Sequence, residues 1–177
     1  MGNNFWDFRT VNIHVNNGKD IVIFPYSKCE TAIELADGTL VNGMYIPAYY
    51  PIELKYPYTR NELAEKIKYG IEQWDKYPCY DDKKEKQTYE EKYYGINGFK
   101  NAVKGNRYFN LGWDELQGKF VTLSLPCKKG YAYLGITERK LSDDADWFDF
   151  ADIVIELIDM DLSELGTFKT FKSKLNL

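Results

Sequence analysis

The sequence predicts an α+β fold: a single domain of 177 residues, mainly an antiparallel β-sheet with about three helices packed on it. Three observations carry this expectation. Short β-type runs separated by Asn-Gly and Asp-Gly steps fill the first third of the chain, and β-type runs recur between Arg107 and Ile136. The helical patterns come in blocks between and after these runs, an order that argues against a doubly wound parallel sheet. A content of 44% hydrophobic and 28% charged residues, without an internal repeat or linker, fits one well-packed domain.

The elements follow in chain order. Thr10 to Val15 and Asp20 to Pro25 read as strands joined at Asn16-Asn17-Gly18, because Asn-Gly accepts positive φ. Thr31 to Leu35 and Thr39 to Val41 repeat the arrangement around Asp37-Gly38, and Asn42-Gly43 turns into Met44-Tyr45-Ile46. The three prolines and three tyrosines from Pro47 to Pro57 exclude an interior strand or a helix and predict an ordered surface crossing. Thr59 and Glu62 form a capping box for a helix with Leu63, Ile67, Gly70, Ile71 and Trp74 as its buried stripe, ending near Lys76 ahead of Pro78. Asp81 to Gln87 reads as a solvated, mobile charged loop. Thr88 and Glu91 cap a second helix that runs to Tyr94, and Phe99 to Lys104 adds a helical turn or two before Gly105. Arg107 to Trp113, Lys119 to Pro126 and Tyr131 to Ile136 are strands, with Gln117-Gly118 and Lys128-Lys129-Gly130 in their turns.

The stretch from Leu141 to Phe168 holds nine acidic residues and no Lys, Arg or His, yet it is among the most apolar parts of the chain. Ser142 or Asp143 is the expected N-cap, with Asp143, Asp144 and Asp146 in the first turn, where the helix dipole favours negative charge. At 100° per residue, Trp147, Phe148, Ala151, Val154, Ile155, Ile158 and Leu162 share one face. Asp149, Asp152, Glu156 and Asp159 form an acidic strip beside it, and Phe150, Ile153 and Leu157 lie on the far side. The tail from Phe168 to Leu177 carries Lys169, Lys172 and Lys174 and either folds back over the strip or frays.

Composition removes several functions. A net charge of −4 argues against a direct nucleic-acid partner and favours a basic protein partner. Cys29, Cys79 and Cys127 form no CxxC, so neither a metal site nor a disulfide framework is supported and a reducing cytoplasm is expected. His14 is the only histidine and sits in an alternating strand pattern, which leaves His-cluster zinc sites and histidine acid–base chemistry without support. Gly95-Ile96-Asn97-Gly98 lacks a phosphate-loop arrangement, and Asp143-Asp144-Ala145-Asp146 lacks the Gly and Glu of a calcium loop. Ser124, Ser142 and Ser163 stand in no nucleophile-elbow setting. Met1 to Trp6 is neither a signal peptide nor a myristoylation site, and no apolar run is long enough to span a membrane. The expectation is a cytoplasmic protein, a monomer or weak dimer without catalytic residues, cofactor or metal.

Four strings carry a family resemblance: Glu62-Leu63-Ala64-Glu65-Lys66-Ile67, Thr88-Tyr89-Glu90-Glu91-Lys92-Tyr93-Tyr94-Gly95-Ile96, Gly98-Phe99-Lys100-Asn101-Ala102-Val103-Lys104-Gly105 and Gly130-Tyr131-Ala132-Tyr133-Leu134-Gly135-Ile136. In this order, around a strand pair, they resemble the CdiI-type immunity proteins of bacterial contact-dependent growth inhibition systems. The resemblance covers the middle and C-terminal two thirds of the chain. It implies a cytosolic binding protein that neutralises the C-terminal toxin domain of a delivered effector, often a nuclease, by covering its active site; it transfers no catalytic residue. A nuclease cleft is basic, so clustered carboxylates fit it. The expected toxin-binding residues are Asp143, Asp144, Asp149, Asp152, Glu156 and Asp159. Two other readings remain open: a small ligand-binding domain or enzyme with an aromatic-lined pocket, and a scaffold that self-associates through the 15 tyrosines.

Overall fold

The computed structural model describes residues 9–30, 32–34, 38–114, 118–130 and 132–177. The expectations for Met1 to Trp6, Thr31, Leu35, Asp37, Gln117 and Tyr131 lie outside the described residues. Strands β1 (Arg9–Val15) and β2 (Ile21–Lys28) form the expected hairpin, but Lys19 rather than Gly18 takes the left-handed conformation, at φ 66°. Asn16 closes the turn: its carbonyl accepts from Lys19 N–H at 2.9 Å and its side chain from Asp20 N–H at 3.0 Å. β3 (Ile33–Glu34) and β4 (Leu40–Val41) form a separate two-stranded ribbon.

The main sheet is antiparallel throughout. β5 (Tyr45–Pro47) and β6 (Ile52–Leu54) share the outer edge of β2; β1, β7 (Arg107–Asp114), β8 (Gly118–Pro126) and β9 (Tyr133–Lys140) follow on the other side. The Pro47 to Pro57 crossing therefore contains a strand. Pro51 and Pro57 bracket it, and three residues pairing on one side only are what an edge tolerates beside prolines. β9 starts two residues later and ends four residues later than expected, because Thr137 to Lys140 is polar enough for a solvated edge yet still pairs with β8.

One sheet face is apolar. Val11, Ile13, Val15, Ile21, Ile23, Phe109, Leu111, Val121 and Leu123 are nearly or fully buried there, beneath α1 (Arg60–Glu72) and α5 (Trp147–Asp159). Thr59 caps α1 through the expected box, with Glu62 reaching back to Thr59 N–H at 2.7 Å. Helix α1 closes on the sheet at Gly70, where an added Cβ would come within 2.9 Å of Ile23 Cγ2. Trp74 lies beyond the helix end and stacks on Tyr45 at 4.6 Å. The opposite sheet face is polar and aromatic and is covered by α3 (Tyr89–Tyr94) and α4 (Phe99–Ala102).

Three further expectations are corrected. Asp81 to Gln87 is not simply a loop: Asp81 accepts from the N–H groups of Lys83 and Lys84 and caps the short helix α2 (Asp82–Glu85). The N-cap of α5 is Asp146, not Ser142 or Asp143, because Asp149 reaches back to Asp146 N–H at 2.8 Å and completes a box with Asp in the Glu position. The tail neither frays nor covers the acidic strip. It forms α6 (Gly166–Phe171) and a 3-10 turn (Lys172–Lys174), buries Phe168 and Leu175, and ties its backbone to the end of β8.

Candidate functional site

The structure places the six acids expected to bind a partner on one surface. Asp143 and Asp144 stand exposed in the turn before α5; Asp149, Asp152, Glu156 and Asp159 run along its outer face, all exposed. The buried face is Phe150, Ala151, Val154, Leu157 and Ile158, with Trp147, Phe148 and Ile155 half-buried beside it. Phe150 and Leu157 thus belong to the core, and the apolar face is turned about 60° from the expected one, to lie directly opposite the strip.

The strip carries its own counter-charges, each from a different element. Arg60 of α1 grips Asp152 through two hydrogen bonds of 2.5 and 2.7 Å while lying over the Phe148 ring. Lys19 of the β1–β2 turn meets Asp159 at 2.5 Å, and Arg139 of β9 reaches Glu156 at 3.6 Å. The Arg60 hydrogen bond holds the Asp152 carboxyl below its usual range, and hydrogen bonding to Ser142 does the same for Asp144. The side chains of Asp152, Glu156 and Asp159 remain 52, 54 and 58% exposed, so their outward lone pairs stay available. Helix α5 has no basic residue in its last turn. Arg107 of β7 supplies the charge, donating to Leu157 O and, at 2.9 Å, to Met160 O.

A second cluster, on the opposite side of the sheet, was not foreseen as a unit. His14 is fully buried and makes edge contacts with the rings of Phe24, Tyr89, Tyr108 and Tyr133 at centroid distances of 5.5, 5.7, 5.0 and 6.0 Å. Its Nε2 lies 3.3 Å from the Tyr89 hydroxyl and its Nδ1 has no partner. Burial pulls its pKa down to about 3, so the ring is neutral. Beside it Glu90, 3% exposed, accepts from Tyr133 Oη at 2.9 Å, and burial pushes its carboxyl up. Asn12 Oδ1 accepts from Tyr26 Oη at 3.0 Å and from Asn110 Nδ2 at 2.9 Å. The alternation of Asn12 and His14 in β1 and of Tyr108 and Asn110 in β7 is visible in the sequence; their pairing across the sheet is not.

No protein-family model matches the chain, and no curated protein matches it. The fold is similar to a solved structure of a protein of unknown function from Neisseria meningitidis, with a TM-score of 0.56, 13% sequence identity, and coverage of 86% of this chain and 94% of that one. At that identity the likeness shows the fold alone.

Chemically, the two clusters differ. The acidic surface can bind cations of a partner in water. The His14 cluster holds groups able to move protons, but its side chains are packed on one another. A cleft of 230 Å³ at its margin, bordered by Asp20, Glu53, Lys55, Tyr93 and Tyr94, is smaller than the roughly 300 Å³ at which ligand pockets begin. Among the described residues no group of three or more His, Cys, Asp or Glu could hold a metal, and no helix is long and apolar enough to cross a membrane.

Proposed function

We propose that this protein is an immunity protein that binds the C-terminal toxin domain of a contact-dependent growth inhibition effector, a basic nuclease, and covers its active cleft through the α5 acidic surface. One observation carries the reading. Asp149, Asp152, Glu156 and Asp159 stand in a row on the outer face of a helix whose inner face is locked in the core. Half-exposed surface ion pairs are worth little. A partner's lysines and arginines can therefore replace Lys19, Arg60 and Arg139 at small cost while gaining carboxylates already fixed in place. A standard interface of roughly 1,600 Å² would extend beyond this strip to Asp143 and Asp144.

The test is co-expression with the toxin domain of the nearest large effector gene, followed by purification and association kinetics. Rescue of growth and a one-to-one complex are expected. The variant D149N/D152N/E156Q/D159N should associate about tenfold or more slowly at low ionic strength, with the gap closing as salt rises. An unchanged association rate at low salt would sink the assignment of the strip.

A second reading, a small enzyme or ligand-binding domain, is favoured by His14 and Glu90 buried among tyrosines. It requires a ligand able to open that layer. Chemical-shift changes at Tyr89, Tyr108 and Tyr133 in a metabolite screen would support it, and a silent screen would leave it without a ligand.

A further inference from the structure

The β8–β9 turn and the tail carry the opposite charge. Lys128 and Lys129 sit in the β8–β9 turn, and Lys169, Lys172 and Lys174 sit in the tail. All five are exposed, and neither segment 126–137 nor segment 166–177 contains an Asp or Glu side chain. The two segments are held together by backbone pairing. Lys128 N–H donates to Lys174 O at 2.9 Å, Asn176 N–H donates to Pro126 O at 2.7 Å, and Cys127 bridges Leu175. Asn176 Nδ2 adds a bond of 2.8 Å to Lys100 O. This is a built surface and not a loose end: Leu175 is fully buried.

Between the segments lies a cleft of 510 Å³ lined by Lys128, Lys169, Lys172, Ser173, Leu175 and Leu177. Among the described residues none of these three ammonium groups forms an ion pair. Lys169 is near enough to Asp161 to help hold that carboxyl down, but there it acts after the Ser163 hydrogen bonds and the Arg107 charge. Like charges gathered with only Asp161 near one of them repel one another and create a local positive field in a protein whose net charge is −4. The volume lies inside the roughly 300–1,000 Å³ range of small-molecule sites. Three ammonium groups and the Ser173 hydroxyl offer donors to several phosphate oxygens, and Leu177, 54% exposed, offers an apolar surface to something larger than phosphate.

We infer that this cleft binds a small polyphosphate ligand with a ring-bearing body, of the nucleoside polyphosphate class, with Lys128, Lys169 and Lys172 on the phosphates and the exposed Leu177 side chain against the ring. The site is separate from the acidic surface and stands or falls independently of it.

The experiment is a titration of the full chain with adenosine triphosphate and, separately, with inorganic triphosphate, followed by amide chemical shifts at low ionic strength. Saturable shifts around residues 126–130 and 169–177 are expected, with the nucleotide binding tighter than the inorganic anion. Each of K128Q, K169Q and K172Q should weaken binding by about fivefold, the triple variant should abolish it, and K68Q on α1 should leave it unchanged. Circular dichroism and thermal melting establish that each variant is folded. Absence of saturable binding at millimolar nucleotide would overturn the inference, as would binding that survives in the triple variant. Equal affinity for the two anions would remove the nucleoside assignment.

Discussion

Replacing His14 by Phe should change how stability depends on pH. In the folded chain His14 is fully buried among aromatic rings with its Nδ1 unpartnered, and its pKa is about 3 against 6.5 when solvated. Folding therefore demands the neutral ring. Between pH 6.5 and about 3 the unfolded chain holds a proton at this position that the folded chain does not, so stability rises with pH across that window and is flat above it. Each pH unit is worth about 1.4 kcal/mol, so by pH 4 the wild type should have lost about 3 kcal/mol that H14F keeps. Phe suits the site because the cage around it is aromatic and the hydrogen bond it forgoes, 3.3 Å to Tyr89, is long. The assay is urea unfolding of both proteins at several pH values from 7.5 down to 4, comparing midpoints and slopes. The acidic groups common to both chains largely cancel in the difference. Parallel pH profiles for the two proteins would refute the reasoning, since His14 would then be hydrated or already charged in the folded state.

Four further outcomes follow from the same structure. E90Q should gain on the wild type as pH rises above 4.5, because burial raises the folded-state pKa of Glu90 and the wild type must carry a buried charge there; below pH 4.5 the two should converge. T88A removes the hydroxyl that accepts from Glu91 N–H at 3.2 Å and should lower unfolding free energy by about 1 kcal/mol in chemical denaturation. G70A forces a Cβ to within 2.9 Å of Ile23 Cγ2 and should cost about 1–3 kcal/mol, from which Ala's better helix propensity recovers part; a more stable G70A would show that α1 can shift. The triple variant K19Q/R60Q/R139Q strips the strip's internal counter-ions, so association with a basic partner should speed up at low salt even as the melting temperature falls; slower association would mean that these cations themselves touch the partner.

The parts of the fold that were legible are those decided locally. Thr59 with Glu62 and Thr88 with Glu91 fix helix starts within four residues, and both boxes form. The α5 start was obscured because Ser142, Asp143 and Asp146 all offer a capping oxygen, and the choice falls to Asp149 three residues on. The rotation of α5 was obscured because apolar residues occupy nearly the whole helix apart from the strip, so periodicity alone points in several directions. The position opposite the strip gives the right answer, since a row of carboxylates must face water. Of the candidate surface, the exposure of the acids was legible; their partners were not, since Lys19, Arg60 and Arg139 come from elements that only the fold brings together. The His14 cluster was hidden for the same reason: Tyr89, Tyr108 and Tyr133 sit on three separate elements.

Beyond the capping bond of Asp149 and the Arg60 grip on Asp152, the charge of the acidic strip adds little to the stability of its own helix. Asp149, Asp152, Glu156 and Asp159 succeed one another at spacings of three and four residues, where like charges repel. Only Asp149 sits in the first turn, where a negative charge helps. Asp159 sits in the last turn, where a negative charge opposes the dipole and Arg107 and Lys19 must offset it. The helix is held instead by burial of Phe150, Ala151, Val154, Leu157 and Ile158 and by its cap at Asp146. Charge that adds little to its scaffold while standing half-exposed on a rigid frame fits the proposed recognition surface, on which preorganised carboxylates would meet a basic partner with little ordering cost at the moment of contact.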